Sequence, residues 1–235
     1  MEKFPSVSPP NVEYLRKIIG SLNSGKRPAD LKREVGGRVY DAIRILKALG
    51  IIEPKRKGRW NYYRKKSYDP IDVMYMRRDD VRKTLTLIAN GVRSRKNISL
   101  EVYNSTTSTD LRRISSIVSL GRQLGFIVKG RAYKLTYDGL KELLRYFIEA
   151  YSIELSKNTG ISYVSIPELR NKVLAEIRIS REMFDKALLE LSKSGILHLS
   201  AGPVTDEEEA AEGIQSDKGI LLFLRIEQFK YFKSR

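Results

Sequence analysis

A chain of 235 residues with 41% hydrophobic side chains can bury a core in one large domain or in two to three small ones, which excludes global disorder. It has no cysteine and one histidine, His198, which excludes disulfides, cysteine zinc sites, iron–sulfur clusters, thiol catalysis and two-histidine metal motifs; no cofactor or metal is expected. Forty-four basic side chains against 28 acidic ones give a net charge of +16, so the expected partner is a polyanion.

No apolar run approaches the ~18 residues that would cross a bilayer, and the first ten residues lack the apolar stretch of a signal peptide. The expectation is a cytoplasmic, nucleoid-associated protein with no membrane partner. Charge is unevenly spread. Residues 1–70 carry 17 basic and 7 acidic side chains, residues 71–150 carry 15 and 8, and residues 151–235 carry 12 and 13. A generic basic surface would not stop so abruptly. The first two-thirds suit phosphate and the last third does not. Many Lys, Arg and Ile residues without Cys also suit a thermophile.

In chain order, residues 11–22 form an amphipathic helix with Val12, Leu15, Ile18, Ile19 and Leu22 on one face. Pro28 opens a short second helix over 28–35. Gly36-Gly37 makes a turn into a third helix, 38–49, stopped by Gly50. Residues 51–53 and 59–63 read as strands joined by the basic loop 54–58. Helix, helix, turn, helix and hairpin is the order of a winged helix. The order returns over 73–150: a helical stretch 73–90, a short element 100–103, a turn 105–109 rich in capping residues, a strong helix 110–124, strands 126–129 and 132–137, and a helix 138–151. It returns again over 152–235, with helices 166–177 and 181–194 and strands 196–200 and 220–226. Here a long acidic insert, 201–219, takes the place of the wing. The three junctions at Gly50, Gly125 and Gly195 each end a helix and enter an apolar strand, which reads as a divergent repeat. The predicted class is therefore mainly α with small β-hairpins (α+β), as three tandem winged helices over 5–70, 73–150 and 152–235. The alternative is a single irregular α+β domain.

A recognition helix offers base edges the face its core does not use. In the third helix the core stripe is Val39, Ile43, Leu46 and Leu49, and the opposite face is Gly37, Tyr40, Asp41, Arg44 and Ala48, with Arg38 beside it at the first turn. Arginine there can bond guanine O6 and N7 together. Lys32 and Arg33 lie on the preceding helix, where phosphates pass. Lys55, Arg56, Lys57 and Arg59 crowd one turn, where mutual repulsion is relieved if the turn meets phosphate or a minor groove. Without that turn, Arg38 and Arg44 read equally well as an ordinary solvated face. Trp60, Tyr62 and Tyr63 alternate as sheet packing does, more than as base stacking. The second unit offers Ser105, Thr106 and Thr107 at a turn, Arg112 and Arg113 near a helix start, and Lys129, Arg131 and Lys134 at its wing. Each of these taken singly fits solvated surface as well, and the unit's surplus of cations favours some of them. His198 alternates with Leu197 and Leu199 and reads as a surface or sheet-edge residue. The run Asp206 to Glu209 reads as a solvated loop, because adjacent carboxylates lack the spacing of a calcium cage. There is no glycine-rich phosphate loop.

Gly37-Arg38-Val39-Tyr40-Asp41 followed by Ile45-Leu46-Lys47-Ala48-Leu49-Gly50-Ile51-Ile52-Glu53 resembles the recognition helix of the DP-type cell-cycle transcription factors and their dimer partners. That family carries Arg-Arg-x-Tyr-Asp, and its two arginines read guanines. Arg38 matches the second and Gly37 replaces the first, so the family's base preference does not carry over. The match covers residues 30–63. The whole chain resembles the crenarchaeal winged-helix replication initiators. Its third unit, through Pro167-Glu168-Leu169 and Met183-Phe184-Asp185-Lys186-Ala187-Leu188, resembles the helicase-contacting winged helix of the eukaryotic licensing factor.

The expected function is non-enzymatic binding of double-stranded DNA by the two basic units, as a replication-origin initiator. Residues 152–235 would contact a replication or transcription protein. A transcription regulator, or a polymerase-associated subunit whose units dock protein, is the alternative. An enzyme is disfavoured by the lack of Cys, of a second His and of paired carboxylates.

Overall fold

The computed structural model describes residues 3–22, 25–130, 132–159, 163–202, 207–217 and 219–232. They form a mixed α/β fold in which small antiparallel hairpins alternate with helices. Two units can be distinguished, Met1–Gly139 and Leu140–Arg235. Among the described residues no helix is long and apolar enough to cross a membrane.

In the first unit Asn11 caps α1 (Val12–Gly20) by accepting the Tyr14 N–H at 2.7 Å. Pro28 starts α2 (Pro28–Val35), where its missing N–H costs nothing. α3 (Val39–Ala48) follows the Gly36-Gly37 turn and buries Val39, Ile43, Leu46 and, just beyond its end, Leu49. β1 (Ile52–Lys57) and β2 (Trp60–Lys65) pair antiparallel from Ile52↔Lys65 to Lys57↔Trp60. The hairpin is longer than the sequence implies. Residues 54–57, expected as loop, are strand, and the turn is only Gly58-Arg59. Pro54 is tolerated because β1 lies at the sheet edge. On the other side of β2, Lys26 exchanges backbone hydrogen bonds with Tyr63 at 3.1 and 2.9 Å.

The helix expected over 73–90 is two helices, α4 (Ile71–Met76) and α5 (Asp79–Ala89). Arg78 takes extended backbone between them (φ −76°, ψ 128°). Its guanidinium pairs with Asp80 at 2.9 Å and donates to the Ala48 carbonyl at 2.8 Å, which fixes the break. The short element expected at 100–103 is the end of a longer helix, α6 (Arg95–Tyr103), capped by Ser94 and closed by Asn104 in the left-handed region. Then come α7 (Ser108–Gln123), β3 (Ile127–Lys129), β4 (Tyr133–Leu135) and α8 (Tyr137–Thr159).

Residues 3–8 are tied into this unit by polar contacts. Phe4 is fully buried and its N–H donates to Asp80 at 2.7 Å, while Ser116 donates to the Val7 carbonyl. Asp110, in the first turn of α7, is buried, and hydrogen bonds from Ser105, Thr107, Arg113 and Lys3 hold its carboxyl well below the usual carboxylate range. A depressed folded-state value stabilises the fold above the unfolded value, near 4, and that stabilisation is lost as pH falls toward the depressed one. The thermal midpoint is therefore expected to drop between about pH 5 and pH 2, and the drop should be shallower in Asp110→Asn. Equal acid limbs in the two proteins would show that Asp110 is not the group responsible.

In the second unit β5 (Val164–Ser165), α9 (Ile166–Glu176), α10 (Arg181–Lys193), β6 (Leu197–Ala201), α11 (Glu207–Glu212), β7 (Ile214–Ser216) and β8 (Gly219–Ile226) follow in order. The sheet runs β5-β8-β6, with β7 also paired to β8. The insert 201–219, expected as an acidic loop, is thus partly regular: α11 and β7 lie inside it. Buried Arg170 holds α11 through the Glu212 carbonyl at 2.8 Å while pairing with Asp185 at 2.9 Å. Asp206 lies outside the described residues. His198 is exposed on β6, an edge strand.

The three helix-to-strand junctions share one hydrogen-bond pattern. Gly50, Gly125 and Gly195 have φ of +72°, +80° and +68°, a region that costs a side-chain-bearing residue. The next residue's N–H reaches back over the turn in each case: Ile51 to Leu46 O at 3.0 Å, Phe126 to Gly121 O at 2.8 Å, Ile196 to Leu191 O at 3.0 Å. The returning chain then donates to that same residue's carbonyl: Lys66 to Ile51, Thr136 to Phe126, Glu227 to Ile196.

Candidate nucleic-acid interface

The outer face of α3 carries Tyr40, 55% exposed, together with exposed Arg44 and Lys47, while Asp41 and Ala48 are half-buried. Arg38 stands at the helix start and is already engaged. Its guanidinium pairs with Asp41 and donates to the Ser8 carbonyl at 2.8 Å. Arg38 is exposed and Asp41 half-buried, so solvent screens this pairing and leaves it exchangeable for another acceptor. Lys32 and Arg33 are exposed in the last turn of α2.

Gly37 has φ +64°, and a Cβ there would come 3.2 Å from the Tyr14 hydroxyl oxygen. Any side chain here, an arginine included, would be strained by the backbone and crowded by Tyr14. Gly37→Arg is expected to lower stability by about 1–2 kcal/mol, read as a shifted urea midpoint, and Gly37→Ala should share most of the loss. An unchanged midpoint would remove the steric account.

On the hairpin, Lys55 and Arg59 are exposed, and exposed Arg56 donates to the Gly58 carbonyl at 3.2 Å. The side chain of Lys57 lies outside the described residues. Arg59 lies over the Trp60 ring at 5.1 Å, and Arg27 does so at 5.3 Å. Arg27 was not among the sequence-predicted interface residues. Its only sequence signal is the basic pair Lys26-Arg27 ahead of Pro28.

The second set of predicted residues divides. Thr107 caps α7: its hydroxyl accepts the Asp110 N–H at 3.2 Å and donates to the Asp110 carboxylate at 2.9 Å. Ser105 and half-buried Arg113 also bond Asp110. These three are engaged with Asp110. Thr106 and Arg112 are exposed, as are Lys129 and Lys134 on the hairpin β3–β4. Arg131 lies outside the described residues.

Charge sorts the surface further. Residues 1–139 hold 30 basic and 13 acidic side chains, net +17, and residues 140–235 hold 14 and 15, net −1. Most acids of the first unit are consumed locally: Asp30 by Arg27, Glu34 by Lys26, Glu53 by Arg64, Asp69 by Arg77, Asp79 by Arg82 and Asp110 by Arg113. Lys32, Arg44, Lys55, Arg112, Lys129 and Lys134 are exposed and have no ion pair among the described residues. Within that same description, no three His, Cys, Asp or Glu side chains gather where they could hold a metal ion. Comparison of the chain with known protein families matched none of them, and comparison with curated proteins found no similar chain.

Proposed function

We propose that the chain is a non-enzymatic double-stranded-DNA-binding protein built from tandem winged helices, two in residues 5–150 and a third in 152–235. The observation that carries this reading is that exposed Arg44 on the outer face of α3 and exposed Lys55 on the adjoining hairpin have no ion pair among the described residues, while Asp41 and Glu53 beside them are already paired. A helix with a buried stripe, an exposed Tyr40 and Arg44, and a basic hairpin beside it is what major-groove entry with a flanking phosphate contact requires. The common hydrogen-bond pattern at Gly50, Gly125 and Gly195 supports a repeated unit. The near-neutral residues 152–235 then contact a protein partner. The replication-origin role rests on the likeness of the whole chain to the crenarchaeal initiators. The transcription role rests on residues 37–53.

The test is a titration of duplex DNA across a salt series. The logarithm of the affinity is expected to fall linearly with log salt, by about 0.9 per phosphate neutralised. A flat dependence would remove the reading. Footprinting on origin and promoter DNA then separates the two roles.

A further inference from the structure

Trp60 is the chain's only tryptophan, and on the hairpin it is 47% exposed. Packing, the ordinary use of such a ring, leaves it half open here. Antiparallel register places Lys57 opposite Trp60 and Lys55 opposite Tyr62, so aromatic and basic positions share one face of the hairpin. The Arg27 and Arg59 guanidinium groups flank the ring at 5.3 and 5.1 Å. Arg27 is held in place by two hydrogen bonds to Asp30, at 2.8 and 3.0 Å. A partly open ring beside an exposed, exchangeable cation, Arg59, is an arrangement on which a base can stack while a neighbouring phosphate is neutralised. In the interior of an intact duplex both faces of each base are covered by neighbouring pairs. Only a base that has left the stack can meet Trp60.

We propose that the Trp60 face of this hairpin binds an unpaired base at a junction of duplex and single-stranded DNA, with Arg59 on a flanking phosphate. This rests on the duplex-DNA reading of the same hairpin. Because Trp60 is the sole tryptophan, its emission reports the contact directly. The full chain is titrated with a blunt duplex and with the same duplex carrying a single-stranded fork, reading both fluorescence anisotropy of labelled DNA and tryptophan emission. Emission is expected to be quenched by the fork and little changed by the blunt duplex. The fork should bind about tenfold to a hundredfold tighter. Trp60→Ala should lose that preference while keeping blunt-duplex affinity, and Trp60→Phe should keep most of it. Quenching is read on the wild-type protein, so it stands whether or not a variant folds. Equal binding of fork and blunt DNA, unchanged emission on the bound fork, or a Trp60→Ala variant with the wild-type preference would each overturn the stacking proposal alone. Failure of the wild type to bind blunt duplex at low salt would overturn the DNA reading with it.

Discussion

Replacing Lys55, Arg56 and Lys57 by alanine together is expected to make the salt dependence of duplex binding shallower by about two to three units and to weaken binding about a hundredfold near 0.1 M salt. Each cation that meets a phosphate releases about one condensed counterion, and three such contacts give an effect of that size. Fold stability should hardly change, because Lys55 and Arg56 are exposed and, of these two, Arg56 alone has a hydrogen bond among the described residues, to the Gly58 carbonyl. Removing three like charges from one hairpin even relieves repulsion. Arg44→Ala supplies the contrast. On the outer face of α3, a base contact by Arg44 would give a loss that varies with DNA sequence by about 1–3 kcal/mol and leaves the salt slope nearly intact. If the triple variant binds with unchanged slope and affinity, the hairpin does not touch DNA. If Arg44→Ala weakens all sequences equally, Arg44 positions the protein and does not read bases.

The elements legible in the sequence are those whose signal is local. The stripe Val39, Ile43, Leu46, Leu49 marks α3 because a helix buried on one side repeats every three to four residues. The junction glycines are legible because the left-handed backbone there selects for glycine. The break at Arg77-Arg78 is not, since it depends on Arg78 reaching the Ala48 carbonyl, 30 residues away. Ser105, Thr107 and Arg113 bond a partner within five residues, so those contacts are local; what is hidden is the burial of that partner. Their common partner, Asp110, reads in sequence as one more polar residue at a helix start, yet it is buried and is bonded by Lys3 from 107 residues away. Basic residues in sequence are candidate phosphate contacts until their acids are located. Arg113 drops to an internal role once Asp110 is placed, and Lys55 keeps its candidacy because no acid reaches it among the described residues.

Glu149 shows the same limit with the largest expected cost. It lies on α8 with the spacing of an ordinary surface acid, four residues after Arg145, but it is fully buried. Its carboxylate accepts from the Arg145 Nε at 2.9 Å, from the Lys230 N–H at 3.1 Å and from the Tyr231 N–H at 2.8 Å. Those bonds fix the chain after β8 against α8, where the Tyr231 and Phe232 rings lie tilted against Tyr146 with centroids 5.5 and 5.2 Å away. Glu149→Ala would leave a largely buried guanidinium and two backbone N–H groups without this acceptor. The expected destabilisation is about 3–5 kcal/mol, because the cost is that of orphaned buried donors, not of one lost bond. Glu149→Gln keeps an acceptor of the same shape and should lose less than half as much. Urea unfolding of the full chain followed by circular dichroism measures both. Because the cation surplus lies in residues 1–139, Glu149→Ala should keep its duplex affinity under conditions where it remains folded. A Glu149→Ala protein within 1 kcal/mol of the wild type would mean that apolar packing of Tyr231 and Phe232, and not this carboxylate, holds the last segment in place.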